Sequence, residues 1–226
     1  LGLDVPSADI LELGMQIAGV HPAMQDALDV DVHCVRTSPI IKPDSGPPPV
    51  EYTDEWGVRR RKPAGGHWYD QESAPLAGPI TVRDILNYPW PRPDLSPTLE
   101  ALRERVQLAR ESTDRAICLE VSGAVIHHSQ YLRGFEDWFY DMAGNPELIA
   151  ALMDAILDVQ LPVLEHQLEV AGDLCDIVFL GDDIGAQDGL QVSPETYRNV
   201  IKPRHERVFS AVRKGAPQAF IVLHSC

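Results

Sequence analysis

His224-Ser225-Cys226 closes a strand-like apolar run, Ala219-Phe220-Ile221-Val222-Leu223. Side chains two apart in a strand leave it on the same side, so His224 and Cys226 face one common space. Imidazole nitrogen and thiolate sulfur are both good zinc ligands, although two ligands alone do not make a zinc site. An earlier apolar run, Ile177-Val178-Phe179-Leu180-Gly181, ends in the same manner on Asp182-Asp183. A carboxylate there can join a coordination sphere, hold an imidazole in one tautomer, or simply cap the next turn. Its place at the end of a buried strand, where sites of α/β proteins form, favours the functional roles and makes Asp182 and Asp183 candidate catalytic residues.

Other residues are secondary candidates. Glu120 ends the strand-like run Ala116–Val121 and reaches toward the same face. His127-His128 follow on what reads as a loop. Adjacent side chains diverge, so one of them, His127 for preference, contacts substrate rather than both. Gln187 lies in the loop after the aspartates, within hydrogen-bonding reach of a ligand. His166 and His205 fall on helical segments and read as surface residues. The glycines between Gly181 and Gly189 do not form a phosphate-binding fingerprint.

These residues need a frame. Residues 8–28 read as a helix in two pieces, with Ser7 as its cap and a break at His21-Pro22. Val30–Val35 alternates as a short strand. Ser38 to about Gly66 is a Pro- and Gly-rich loop ordered by Tyr52 and Trp56, with a small hairpin around Gly57. Pro89-Trp90-Pro91-Arg92-Pro93 is an extended connector, followed by a helix capped by Ser96. The second half is more regular. Strands at Ala116–Val121, Asp176–Gly181 and Ala219–Cys226 alternate with helices over Leu132–Met142, from Asn145-Pro146-Glu147, and from Ser193-Pro194-Glu195. Pro162 and Pro203 should kink or interrupt the last two. Strand–helix alternation implies a parallel sheet with right-handed crossovers. A full (β/α)₈ TIM barrel takes about 250 residues. The reading is therefore one incomplete barrel domain over 1–226: N-terminal helices, loop excursion and early barrel in 1–115, regular βα units in 116–226.

Composition narrows the function classes. The 226 residues carry 19 Lys+Arg against 34 Asp+Glu, a net charge of −15, which disfavours nucleic acid as a partner. The basic run Arg59-Arg60-Arg61-Lys62 is an anion contact or, more commonly for such runs, a solvated edge. No run approaches the ~20 apolar residues of a membrane span. Four scattered cysteines in or beside apolar runs read as reduced thiols of a cytoplasmic protein.

Phe179-Leu180-Gly181-Asp182-Asp183-Ile184-Gly185-Ala186-Gln187, Ser193-Pro194-Glu195-Thr196-Tyr197-Arg198, Lys202-Pro203-Arg204-His205 and Leu223-His224-Ser225-Cys226 together resemble the uroporphyrinogen decarboxylase superfamily. Tyr52–Val58, Asn87-Tyr88-Pro89-Trp90-Pro91 and Arg133-Gly134-Phe135-Glu136 fit the same relatives. The resemblance implies a (β/α)₈ barrel with its site at the C-terminal ends of the strands. It also implies one of two chemistries. The cobalamin-linked methyltransferase branch carries a His-x-Cys motif with a later Cys, all on zinc. His224 and Cys226 match its first half, and a third ligand would lie beyond residue 226. That branch moves a methyl group between a corrinoid, held on a corrinoid protein, and a thiol or similar small-molecule acceptor. The alternatives are a cofactor-free uroporphyrinogen decarboxylase of porphyrin metabolism and a non-catalytic barrel that binds a corrinoid or tetrapyrrole.

Overall fold

The computed structural model describes residues 4, 10–13, 17–37, 49–92 and 96–225. In chain order the elements begin with β1 (Ile10–Glu12), β2 (Ile17–Ala18), α1 (Pro22–Ala27) and β3 (Val32–Arg36). A β excursion follows in β4 (Glu51–Thr53), β5 (Arg59–Arg61) and β6 (Asp70–Ser73). Then come α2 (Val82–Leu86), α3 (Ser96–Ser112), β7 (Ala116–Glu120), α4 (Ile126–Arg133), α5 (Phe135–Gly144) and α6 (Pro146–Ala171). The last elements are β8 (Ile177–Gly181), the short β9 (Gly185–Ala186) and β10 (Gly189–Leu190), α7 (Pro194–Thr196), α8 (Lys202–Gly215) and β11 (Phe220–His224).

The central sheet is parallel throughout, in the order β11-β8-β7-β3. The three strands expected from the apolar runs are all present, and Val32–Arg36 joins them as a fourth. Parallel strands linked by helical crossovers put every C-terminal end on one face. Arg36, Glu120, Gly181 and His224 are therefore brought to the same edge. Alternation splits the sheet cleanly. Ile117, Leu119, Val178 and Leu180 are buried under the helices, with Ile221 and Leu223 packed against the same core. Cys118, Glu120, Phe179, Val222 and His224 lie on the other face, where Phe220 is 76% exposed.

Helix α6 is apolar on two sides because it serves two cores. Ile149, Met153, Leu157 and Leu164 pack toward the sheet. Leu148, Leu152 and Ile156 pack against Trp56, Val58, Leu76 and Ile85 of the excursion. That double burial carries the helix through Pro162, which does not divide it as its missing N–H suggested. Among the described residues no helix is long and apolar enough to cross a membrane.

Several local expectations change. Residues 10–12 and 17–18 form an antiparallel pair, not helix, and among the described residues only Pro22–Ala27 is helical before β3. Ser7 lies outside the described residues. The chain there carries Gly14 and few residues on any single helical stripe, so two short paired segments win over a helix too short to nucleate. The hairpin around Gly57 exists, and a third strand, Asp70–Ser73, extends it. Its basic run is neutralised locally: Arg59 and Arg61 pair with Glu72 at 2.7 Å and with Glu51, and Arg60 pairs with Asp54 at 3.0 Å.

The helix expected over Leu132–Met142 breaks at Gly134, whose φ of 82° ends α4 and starts α5. Trp138 is buried as its spacing demanded, whereas Phe135 and Phe139 are exposed. Ser193 caps α7 by accepting from the Thr196 N–H at 3.0 Å. Pro203 sits in the first turn of α8, and a π-helical turn over Tyr197–Ile201 joins the two helices ahead of it.

Candidate active site

Asp182 organises the strand ends. Its own N–H donates to the His224 carbonyl at 3.0 Å, continuing the β8–β11 ladder by one step. Its carboxylate accepts from three backbone N–H groups at the start of α4: Val125 at 2.8 Å, Ile126 at 2.9 Å and His127 at 3.1 Å. A helix N-terminus favours an anion through both its free N–H groups and its dipole. The ring Nε2 of His205 lies 3.0 Å from the same carboxylate, and Asp182 is 1% exposed. Asp182 thus ties β8, α4 and α8 together. It does cap a helix, though not the turn that follows it in sequence, and the described contacts make it a positioning residue.

Asp183 points the other way. Its Oδ2 lies 3.2 Å from His127 Nε2, and its Oδ1 lies 3.8 Å from His224 Nε2, within ion-pair range. One carboxylate is flanked by two imidazoles at the C-terminal end of the sheet. His127 stacks on Tyr131 and His224 on Phe179, which orients both rings. The loop beneath them is pinned. The Ile184 N–H donates to Ser225 Oγ at 2.8 Å. Gln191 Nε2 donates to the carbonyls of Asp183 and Gly185, and Gln130 holds Gln191 from behind. The His224 side chain stays 54% exposed, open to a ligand.

Beside this cluster lies a cavity of about 650 Å³ at the ends of β7 and β8. Glu120, Gly123, Trp56, His128, Gln160 and Phe179 are among its walls. Glu120 is paired with Arg36 at 3.1 Å. Gly123, at φ 145°, leaves no room for a side chain: a Cβ there would stand 2.9 Å from Leu180. Burial pushes the His128 imidazole below its usual range, so the ring is neutral at pH 7. A hollow of about 740 Å³, lined by Leu86, Tyr88, Trp90 and Ala155, adjoins the cavity at Arg92 and carries no strand-end residue.

Glu120, His127, Asp183 and His224 therefore share one end of the sheet. His127 and His128 sit on the first turn of α4 rather than in a loop, and they do diverge: one meets Asp183, the other lines the cavity. Gln187 is exposed in the turn between β9 and β10 and is not part of the cavity wall; Gln191 does the holding. Cys226 lies outside the described residues. Among the described residues, no group of three His, Cys, Asp or Glu side chains is assembled to hold a metal ion.

Several buried polar residues were missed, His205 and Gln160 among them. His205 is buried, not a surface residue, and Gln160 is buried as well. Each stands on an apolar stripe, Ile201-His205-Val208-Val212 and Ile156-Gln160-Leu164, and that spacing was the available signal. His166 is exposed beside Glu169, as expected.

One layer below the mouth, Cys34 and Cys118 are register partners on neighbouring strands. A hydrogen bond from Cys118 lowers the Cys34 thiol to about 7, with Arg36 helping against burial and Glu120; the Cys118 thiol is pushed up. Alkylation of Cys34 by iodoacetamide should therefore rise with pH to half its maximum near pH 7. In Cys118→Ala the midpoint should move up toward the ordinary thiol range. An unchanged midpoint would show that Cys118 is not the cause.

The family model described as uroporphyrinogen decarboxylase (URO-D) matches residues 68–226, which takes in β7, β8, β11 and the whole Asp183 cluster. The chain belongs to the uroporphyrinogen decarboxylase family. Among solved structures, a methyltransferase from Methanosarcina mazei superposes with a TM-score of 0.58 at 14% identity, covering 90% of this chain and 54% of that one. At that identity the likeness bears on fold alone, and the chain spans about half the length of that protein. Comparison with curated proteins gives no match. Within the uroporphyrinogen decarboxylase family, strand-end residues are where differences in chemistry would be expressed.

Proposed function

We propose that this uroporphyrinogen decarboxylase family member is a methyltransferase that moves a methyl group between a corrinoid and a thiol or similar acceptor. The observation that carries the reading is the flanking of Asp183 by His127 and His224, two residues before Cys226. Imidazole and thiolate in His-x-Cys spacing suit zinc, and the carboxylate suits either a ligand or an orienting partner. In this reading His224 would supply one side of such a donor set, and Cys226 with a further ligand would supply the other.

When bound, zinc would turn an acceptor thiol into a thiolate at neutral pH, and the corrinoid would supply the methyl group. The chain's own residues do the rest. Asp183, held by His127 at 3.2 Å, places its negative charge within ion-pair range of the His224 ring at 3.8 Å and would orient that ring. Asp182 keeps the helix that carries His127 against the strand that carries Asp183. Phe179 and Trp56 give the cavity apolar walls that exclude water from the acceptor. A corrinoid protein would present its cofactor across the open mouth.

Decarboxylation of an acidic tetrapyrrole is the second reading, favoured by the description of the matching family model. The cavity speaks against it: Glu55 and Glu120 line it, the latter paired with Arg36, and among the described residues Arg92 is the cationic side chain on its wall. The two readings separate in one pair of assays. The purified protein with methylcobalamin and 2-mercaptoethanol should shift the corrinoid spectrum as the methyl group leaves, while uroporphyrinogen should release no CO₂. The reverse pattern would replace the first reading with the second.

A further inference from the structure

Cys34 and Cys118 stand opposite one another in the β3–β7 ladder, on the face of the sheet turned away from the helices. Parallel strands keep in-register Cα atoms about 4.8 Å apart, inside the range of roughly 4.4–6.8 Å that a disulfide spans. Both side chains leave the sheet on the same side, and the Cys118 S–H already donates a hydrogen bond to the Cys34 sulfur.

The two sulfurs differ in kind. Cys34 is exposed, whereas Cys118 is buried. With its thiol lowered to about 7, about half of Cys34 is thiolate at neutral pH, the form that attacks an oxidant. Cys118 is held protonated chiefly by its bond to that charged sulfur. Once Cys34 is oxidised and neutral, that hold is gone, and Cys118 faces an electrophilic sulfur. Cys175 makes the contrast. It is buried, donates to the Gly172 carbonyl at 3.4 Å, and is pushed up to about 11 by burial.

Strand spacing also sets how firmly such a bond holds. The Cβ atoms of in-register residues stand about 4.8 Å apart, wider than the roughly 3.5–4.5 Å of a relaxed disulfide. Closing the bond draws β3 toward β7, and among the described residues β3 is the last strand of the sheet, free to move that way. A disulfide made under such strain is easily reduced.

We propose that Cys34 and Cys118 are a reversible dithiol–disulfide pair that reacts with hydrogen peroxide. The Cys34 thiolate attacks one peroxide oxygen, the O–O bond breaks, and the products are the Cys34 sulfenic acid and hydroxide, which solvent protonates to water. The Cys118 sulfur then attacks the Cys34 sulfur. The S–O bond breaks, and the departing hydroxide leaves as water with the Cys118 proton. Two electrons pass from the thiols to one peroxide, and a small thiol reductant returns them. Neither His224, Cys226 nor a metal takes part, so the pair stands apart from the methyl-transfer reading.

The test treats the whole chain with hydrogen peroxide, blocks remaining thiols with N-ethylmaleimide, and maps the peptides by mass. One linked pair carrying Cys34 and Cys118 should appear, about 2 Da lighter than the sum of its reduced peptides, and dithiothreitol should abolish it. In Cys118→Ala the oxidation should stop at the Cys34 sulfenic acid, trapped by dimedone. In Cys34→Ser the loss of the Cys118 thiol to peroxide should slow at least about tenfold. Circular dichroism identifies any variant that fails to fold. No Cys34–Cys118 peptide from the folded, unsubstituted protein, Cys34 linked instead to Cys226 or to a second chain, or Cys118 oxidised equally fast in folded Cys34→Ser would each overturn the proposal.

Discussion

Asp182→Ala is expected to destabilise the protein by about 3–5 kcal/mol, read as a lower urea midpoint at unchanged slope. The carboxylate is buried and accepts from three N–H groups of α4 while facing His205. Removing it strands those donors and leaves Nε2 of the buried His205 imidazole without its carboxylate, so the cost exceeds that of losing an ordinary helix cap, about 1 kcal/mol. A double-mutant cycle with His205→Ala should show coupling of about 0.5–3 kcal/mol, since the two share one network. A loss of no more than a surface substitution's, about 0.5 kcal/mol, would contradict the positioning role.

His224→Ala is expected to lower methyl transfer by at least about a hundredfold, and Asp183→Asn by about 10–100-fold, with little change in stability in either case. His224 is half-exposed at the end of an edge strand and supports no core packing. Asp183→Asn keeps the shape of the side chain but not the negative charge between His127 and His224. The ordering of the two variants is the informative part. If Asp183→Asn is silent while His224→Ala is dead, the carboxylate does not orient the ring.

Much of this was legible in the residues because it rests on short-range patterns. The apolar runs ending at Glu120, Gly181 and His224 marked parallel strands, and parallel strands place their ends together whatever lies between them. His224 and Asp183 could be brought to one mouth on that ground alone. What was not legible depends on contacts distant in sequence. Asp182 and Asp183 are neighbours of one residue type, and only the arrival of α4 on one side separates a buried anchor from a mouth residue. His205 reads as a polar helical residue until its stripe is counted, and its partner lies 23 positions away. The N-terminal segments failed for a different reason: few residues, weak periodicity and a nearby glycine leave helix and paired strand close in free energy. Gln187 was picked for its loop, and the backbone-binding role in that loop went to Gln191, four residues on.

Metal content tests the central claim most directly. Elemental analysis of the protein, purified without chelators, should give close to one equivalent of zinc per chain, and His224→Ala should fall below about a tenth. Less than about a tenth of an equivalent in the unsubstituted protein, or equal zinc in the two, would contradict a zinc-dependent methyl-transfer site built on His224.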